Sequence, residues 1–120
     1  MKQFRPGGRL ASLTASDWAA LTRLLQQRRF DVAFASVAES VSPEVLVAVV
    51  LCIEADSVGR ARWVIFHGCE DHPIDERPFR TGLPSVPFQC PECDEQVESQ
   101  DELSVDVACI LPEPLEIVRD

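Results

Sequence analysis

Two short clusters of cysteine and histidine, about twenty residues apart, constrain this chain more than any other feature. Cys69 and His72 form the first cluster, and Cys90 and Cys93 form the second. Zinc takes four soft ligands in a tetrahedron, and two close-spaced pairs that folding brings together supply such a set. The spacing therefore predicts a structural zinc site made by Cys69, His72, Cys90 and Cys93.

His67 competes with His72 for the fourth ligand position. In a strand His67 and Cys69 point to the same face, because side chains alternate between the two faces. Pro73 follows His72, restricts its backbone and has no N–H to donate. We rank the three cysteines ahead of either histidine, and His72 slightly ahead of His67. The alternative, that these are metal-free core thiols and exposed histidines, stays open.

The second cluster resembles the knuckle of zinc-ribbon proteins. Its sequence is Cys-Pro-Glu-Cys, Phe88 precedes it and a strand pattern follows it, so the resemblance covers roughly residues 61–111. In such knuckles backbone N–H groups point at the thiolate sulfurs, and the next residue often has a left-handed conformation. That residue is Asp94 rather than the usual glycine, and Asp tolerates the conformation better than most residues. The resemblance implies a structural metal and a binding surface rather than a reaction.

The first half of the chain has the pattern of three helices. Helix starts are predicted at Thr14, Asp31 and Ser42, where a polar side chain can cap the first turn. The first helix should run to about Arg28. The third, over residues 43–55, is apolar nearly all round, which predicts that it is buried on most sides or presented to a partner. Its valine and isoleucine content also permits a strand.

Strand patterns dominate the second half. They cover residues 61–67, 103–111 and, as a short edge strand, 115–118. Five of the nine prolines lie between residues 73 and 91, which excludes a helix or a central strand through that stretch. Three helices followed by a strand resemble the winged-helix arrangement. We therefore predict an α+β fold with a flexible arm at 1–12, a helical subdomain at 13–60 that resembles a winged helix, and a zinc-ribbon-like β subdomain at 61–120 with a proline-rich loop at 73–91.

The net charge of −9 is concentrated in the last third of the chain. Residues 1–80 carry ten basic and ten acidic side chains, whereas residues 81–120 carry Arg119 against ten acids. Such a surface repels phosphate backbones and favours basic protein surfaces. The third helix also lacks Lys, Arg, Asn and Gln, the side chains that contact bases and phosphates. These observations argue against nucleic-acid binding.

The sequence does not predict an enzyme. There is no phosphate-binding glycine loop. Acidic residues that are adjacent in the sequence are interpreted as solvated charges of loops rather than as a catalytic pair. A Cys69–His72 nucleophile and base would need a shaped pocket. A redox pair of Cys90 and Cys93 would normally open a helix, and no helical pattern follows Cys93. No catalytic residue is therefore predicted.

The leading hypothesis is a non-enzymatic, zinc-stabilised adaptor or regulatory subunit of a bacterial system, acting in the cytoplasm. It would bind a protein partner, or itself, through the apolar helix 43–55 or the acidic region 92–106. A DNA-binding regulator is the first alternative and a thiol redox protein the second. No secretory signal is expected from the polar start, and the longest apolar run, residues 45–53, is too short to span a membrane. Five cysteines without a signal favour a reducing compartment.

Overall fold

The computed structural model describes residues 1–119, which form two compact units. The first unit contains residues 1–61 and 107–119, and the second contains residues 62–106. In chain order the elements are β1 (Lys2–Phe4), α1 (Ala15–Leu24), β2 (Arg29–Asp31), α2 (Val32–Glu39), α3 (Pro43–Ala55), β3 (Arg60–His67), β4 (Asp75–Pro78), β5 (Phe88–Gln89), β6 (Gln96–Val97), β7 (Leu103–Ile110) and β8 (Leu115–Ile117). This combination of helices with mostly antiparallel strands confirms the predicted α+β class.

The helices of the first unit start where capping residues predict. The Thr14 hydroxyl accepts the N–H of Asp17, whose carboxylate accepts the N–H of Thr14, both at 3.1 Å. The Ser42 hydroxyl accepts the N–H of Val45 at 3.3 Å. Ser42 directly precedes the proline that begins α3. Asp31 differs, because it precedes α2 without a side-chain capping hydrogen bond. α1 also ends earlier than residue 28, since the chain tightens into three-residue turns at Gln26 and Gln27 before β2 begins.

Apolar side chains at helical spacing form the core of the first unit. On α3, the spacing of three and four residues puts one face inside the protein. On α1, the same spacing buries a second row. The buried residues of the two helices are Leu46, Val49, Val50 and Ile53 on α3 and Ala20, Leu21 and Leu24 on α1.

The first twelve residues are not the flexible arm that the sequence predicts. β1 pairs in parallel with β8, with Lys2 opposite Leu115, and Phe4 is 1% exposed. Leu10, in a 3₁₀ turn at Gly7–Leu10, is also buried. The glycines in this stretch do not prevent its pairing with β8. The sequence did not predict this pairing, because strands that are far apart in the chain leave no local signal of their contact.

The last part of the predicted 61–120 subdomain belongs to the first unit. β7 pairs with β2 through Ile110 opposite Arg29, and β8 pairs with β1. Leu111 and Leu115 are buried. Long-range pairing therefore returns the chain to the helical unit after residue 106, and the predicted boundary is corrected accordingly. Asp120, the end of that prediction, lies outside the described residues.

Short antiparallel pairs build the second unit. β3 pairs with β4, with Arg62 opposite Pro78, and β5 pairs with β6, with Phe88 opposite Val97. β4 lies at the edge of its sheet and therefore tolerates a terminal proline. The stretch 73–91 therefore contains two short strands rather than a loop throughout.

No helix within residues 1–119 is both long enough and apolar enough to cross a membrane.

Candidate metal centre

The end of β3 supplies the first two side chains of the centre. His67 is the last residue of the strand, and Cys69 follows in a turn in which the N–H of Glu70 reaches the carbonyl of His67 at 3.3 Å. His67 is half-buried and Cys69 is exposed. The Nδ1 atom of His67 lies 3.3 Å from the Cys69 sulfur. Both side chains thus face the same point beyond the strand end.

The turn between β5 and β6 supplies the other two. The N–H of Asp94 binds the carbonyl of Cys90 at 3.0 Å, and the N–H of Cys90 binds the carbonyl of Glu95 at 2.8 Å. Asp94 has a φ of 64°, the left-handed conformation predicted for the residue after Cys93. This closed turn holds the buried Cys90 and the half-buried Cys93 on its inner side.

Together the two segments bring four ligand atoms within 4.8 Å of one another. The sulfurs of Cys69 and Cys90 are 3.7 Å apart, and the Cys93 sulfur is 3.5 Å from His67 Nδ1. All five cysteines of the chain are free thiols, so no disulfide competes for these sulfurs. The group formed by His67, Cys69, Cys90 and Cys93 can therefore hold a metal ion.

The thiols of the cluster differ in acidity. At Cys90 burial opposes ionisation, but hydrogen bonds to the sulfur from the backbone N–H groups of Cys93 and Glu92, together with the neighbouring thiols, lower its pKa to about 7. At Cys69 loss of hydration, followed by hydrogen bonding and charge repulsion from Cys93 and Cys90, raises the pKa to about 12. Crowded thiolates repel one another, and a divalent cation among them would remove that repulsion.

His72 lies outside this group, which corrects the ranking of the two histidines. Its ring is 58% exposed, with Nε2 3.5 Å from a carboxylate oxygen of Glu92 and Nδ1 4.0 Å from one of Glu70. The period of the strand, which puts His67 and Cys69 on one face, indicated the neighbouring histidine correctly. The separation of three residues between Cys69 and His72 did not. Cys69 likewise has His67 rather than His72 beside its sulfur.

The two remaining cysteines lie in the first unit. Cys52 is half-buried on α3, and Cys109 is buried on β7. Burial, followed by the charge of Glu54, raises the pKa of Cys109 to about 12. Cys109 is thus a core side chain.

Comparison with protein-family models, with curated proteins and with solved structures finds no match for this chain. The resemblances to zinc-ribbon and winged-helix proteins therefore stay predictions that rest on the sequence pattern alone.

Proposed function

We propose that this chain is a non-enzymatic protein-interaction module whose second unit is held by a structural zinc ion. The ligands are His67 through Nδ1 and Cys69, Cys90 and Cys93 through sulfur. The observation that carries the zinc assignment is the set of distances between these atoms.

Three of the six distances between these atoms match the edges of a zinc-sized tetrahedron, and all six are within 4.8 Å. With Zn–S bonds of about 2.3 Å and a Zn–N bond of about 2.0–2.1 Å, ideal tetrahedral angles put two sulfurs roughly 3.8 Å apart and a nitrogen and a sulfur roughly 3.5 Å apart. The Cys69–Cys90 separation is 3.7 Å, and His67 Nδ1 lies 3.3 Å and 3.5 Å from the sulfurs of Cys69 and Cys93. Three thiolates and one imidazole also suit zinc better than magnesium or calcium, which prefer oxygen.

The second unit has too few buried apolar side chains to fold without help. Among residues 62–106 the buried apolar residues are Val64, Ile65, Pro84, Cys90 and Val97. A segment of this size buries a small fraction of its surface, and natural mini-domains compensate with metals or disulfides. Structural zinc contributes roughly 10–16 kcal/mol in small metal-dependent domains, which is at least comparable with the roughly 5–15 kcal/mol net stability of a typical domain.

A full set of four protein ligands favours a structural role over catalysis. Catalytic zinc keeps one position open for water or substrate, whereas structural zinc is closed by four side chains. These four ligands therefore support a structural role of the zinc ion rather than hydrolysis at the metal, and no residue is assigned to a reaction.

An interaction role is supported by what the surface offers. Residues 62–106 carry eleven Asp and Glu against three Arg, a composition that favours contact with basic protein surfaces. α3, by contrast, is mostly enclosed, with Leu51 as its exposed large apolar residue at 42%. Large apolar side chains of α2 are far more exposed, with Phe34 at 79% and Val37 at 83%. The acidic region 92–106 and α2 are thus better candidates for contact than helix 43–55.

The two tryptophans allow the zinc proposal to be tested unit by unit. Trp63 stacks on Phe79 in the second unit with ring centroids 4.3 Å apart, and Trp18 belongs to the first unit beside Arg119. Purified protein should contain one zinc per chain by ICP-MS. Removing the metal with a strong chelator should shift the emission of the Trp18→Phe variant, which retains Trp63, to the red and leave the Trp63→Phe variant nearly unchanged.

Re-addition of zinc should restore the emission of the Trp18→Phe variant. Protein that is folded and free of metal as purified would disprove the structural role. An equal response of both tryptophan variants to the chelator would show that the metal does not act on the second unit in particular.

A further inference from the structure

The first unit has an apolar groove beside its most exposed aromatic side chain. The groove has a volume of about 440 Å³ and lies between the end of α1, β2 and α2. Its floor is made by Leu24, Phe30 and Ala35, which are 2–4% exposed. Phe34 stands at the rim, 79% exposed. Apolar side chains displayed beside an apolar cleft mark a contact surface.

We propose that this groove receives a second copy of this chain, with Phe34 of each copy entering the groove of the other. The inference rests on the interaction role proposed above and names the partner. A two-fold interface requires that one surface carry both the projecting group and its recess, because each copy presents the same patch. Phe34 and the groove floor meet that requirement within one helix, one strand and the end of another helix.

The charges around the groove fit a second copy. Two ion pairs border it, Arg29 with Asp31 at 3.0 Å and Arg23 with Glu39 at 2.7 Å. Because each of these basic groups is paired with an acid of its own chain, the rim carries no excess of one charge that would repel the same rim of a second copy.

The distribution of charge between the units also selects this face. The residues of the first unit, 1–61 with 107–120 in the sequence, carry eight Lys and Arg against nine Asp and Glu. Residues 62–106 carry eleven acids and three arginines, so contact between two copies through that unit is repulsive. Self-association of this acidic chain is therefore favoured on the nearly neutral unit, where the groove lies.

Sedimentation velocity of the full chain over about 1–200 µM tests the proposal. Wild type should move from monomer towards twice the 13.3 kDa chain mass as concentration rises. Phe34→Ser should weaken association at least about tenfold, the usual loss for a buried aromatic anchor. Ala38→Gln, which fills the groove and leaves Phe34 in place, should also weaken it.

Leu51→Ser is the matched control, because Leu51 is an exposed apolar residue of a helix that does not line the groove. Far-UV circular dichroism of each variant verifies folding. A wild type that stays monomeric at 200 µM would overturn the proposal, and so would a dimer that neither Phe34→Ser nor Ala38→Gln weakens. Zinc content measured on the same fractions separates the two proposals: a zinc-loaded monomer contradicts self-association alone, whereas a metal-free dimer contradicts the zinc site alone.

Discussion

At the scale of single residues, the two histidines differ more in their surroundings than in their sequence context. Both lie within three residues of Cys69. His67 ends a strand and points Nδ1 at two sulfurs, whereas His72 is exposed among carboxylates. Position along the strand therefore decides which imidazole can act as a ligand.

Replacing each histidine by alanine tests this assignment. His67→Ala should lower zinc affinity by more than about a hundredfold, because changes one shell further out already cost 10–100-fold. His72→Ala is the control and should keep the wild-type affinity. Competition with a chromophoric chelator measures both. Equal losses in the two variants, or a loss confined to His72→Ala, would contradict the assignment.

Cys109 should be inert in the folded protein. Its pKa of about 12 leaves roughly one thiol in ten thousand ionised at pH 8, and the residue is buried. Iodoacetamide at pH 8, followed by peptide mass spectrometry, should leave Cys109 unlabelled in native protein and label it in denaturant. Labelling of Cys109 before unfolding would show that β7 opens locally.

At the scale of elements, Gly59 allows α3 and the end of β7 to pack closely. A Cβ at this position would lie 2.6 Å from a side-chain carbon of Ile53 and 2.8 Å from one of Leu111. The backbone oxygen of Ile110 is 3.0 Å away. The connection between α3 and β3 therefore has no room for a side chain at residue 59.

Gly59→Ala should destabilise the first unit by about 1–3 kcal/mol, the usual cost of overpacking a closed core. Gly8→Ala is the matched control, because a Cβ there meets nothing within 4 Å. Urea unfolding followed by the emission of Trp18 in the Trp63→Phe background measures the effect on this unit. Equal midpoints for the two glycine variants would contradict the close packing at residue 59.

At the scale of the whole molecule, charge is the property that most limits the choice of partner. The chain carries a net charge of −9, with most of the excess in residues 62–106. Affinity for nucleic acid depends on neutralising phosphates with Lys and Arg. α3, which the sequence pattern places where a winged helix has its DNA-reading helix, contains no Lys, Arg, Asn or Gln.

The zinc-loaded protein should not bind a 20-base-pair DNA duplex at physiological salt. Fluorescence anisotropy should give a dissociation constant weaker than about 10⁻⁴ M, the weak end of non-specific binding. Lower salt should not improve binding, because repulsion between two anions grows as screening falls. Micromolar binding that weakens with salt would revive the DNA-binding alternative.

The local features of this protein could be predicted from the sequence. Caps at Thr14 and Ser42, the apolar spacing of α3 and the alternation in β7 each depend on neighbours a few residues apart. The three cysteines of the cluster were predictable for the same reason, since Cys90 and Cys93 define a turn and Cys69 follows a strand pattern.

Tertiary structure alone decided the features that depend on distant residues. The pairing of β1 with β8 orders the first residues and returns residues 107–119 to the helical unit. The tertiary structure places His67, and not His72, beside the three cysteines, and the packing of α1, β2 and α2 creates the groove beside Phe34. Short-range spacing encodes caps, periods and turns, whereas strand partners and side-chain convergence depend on packing between segments far apart in the chain.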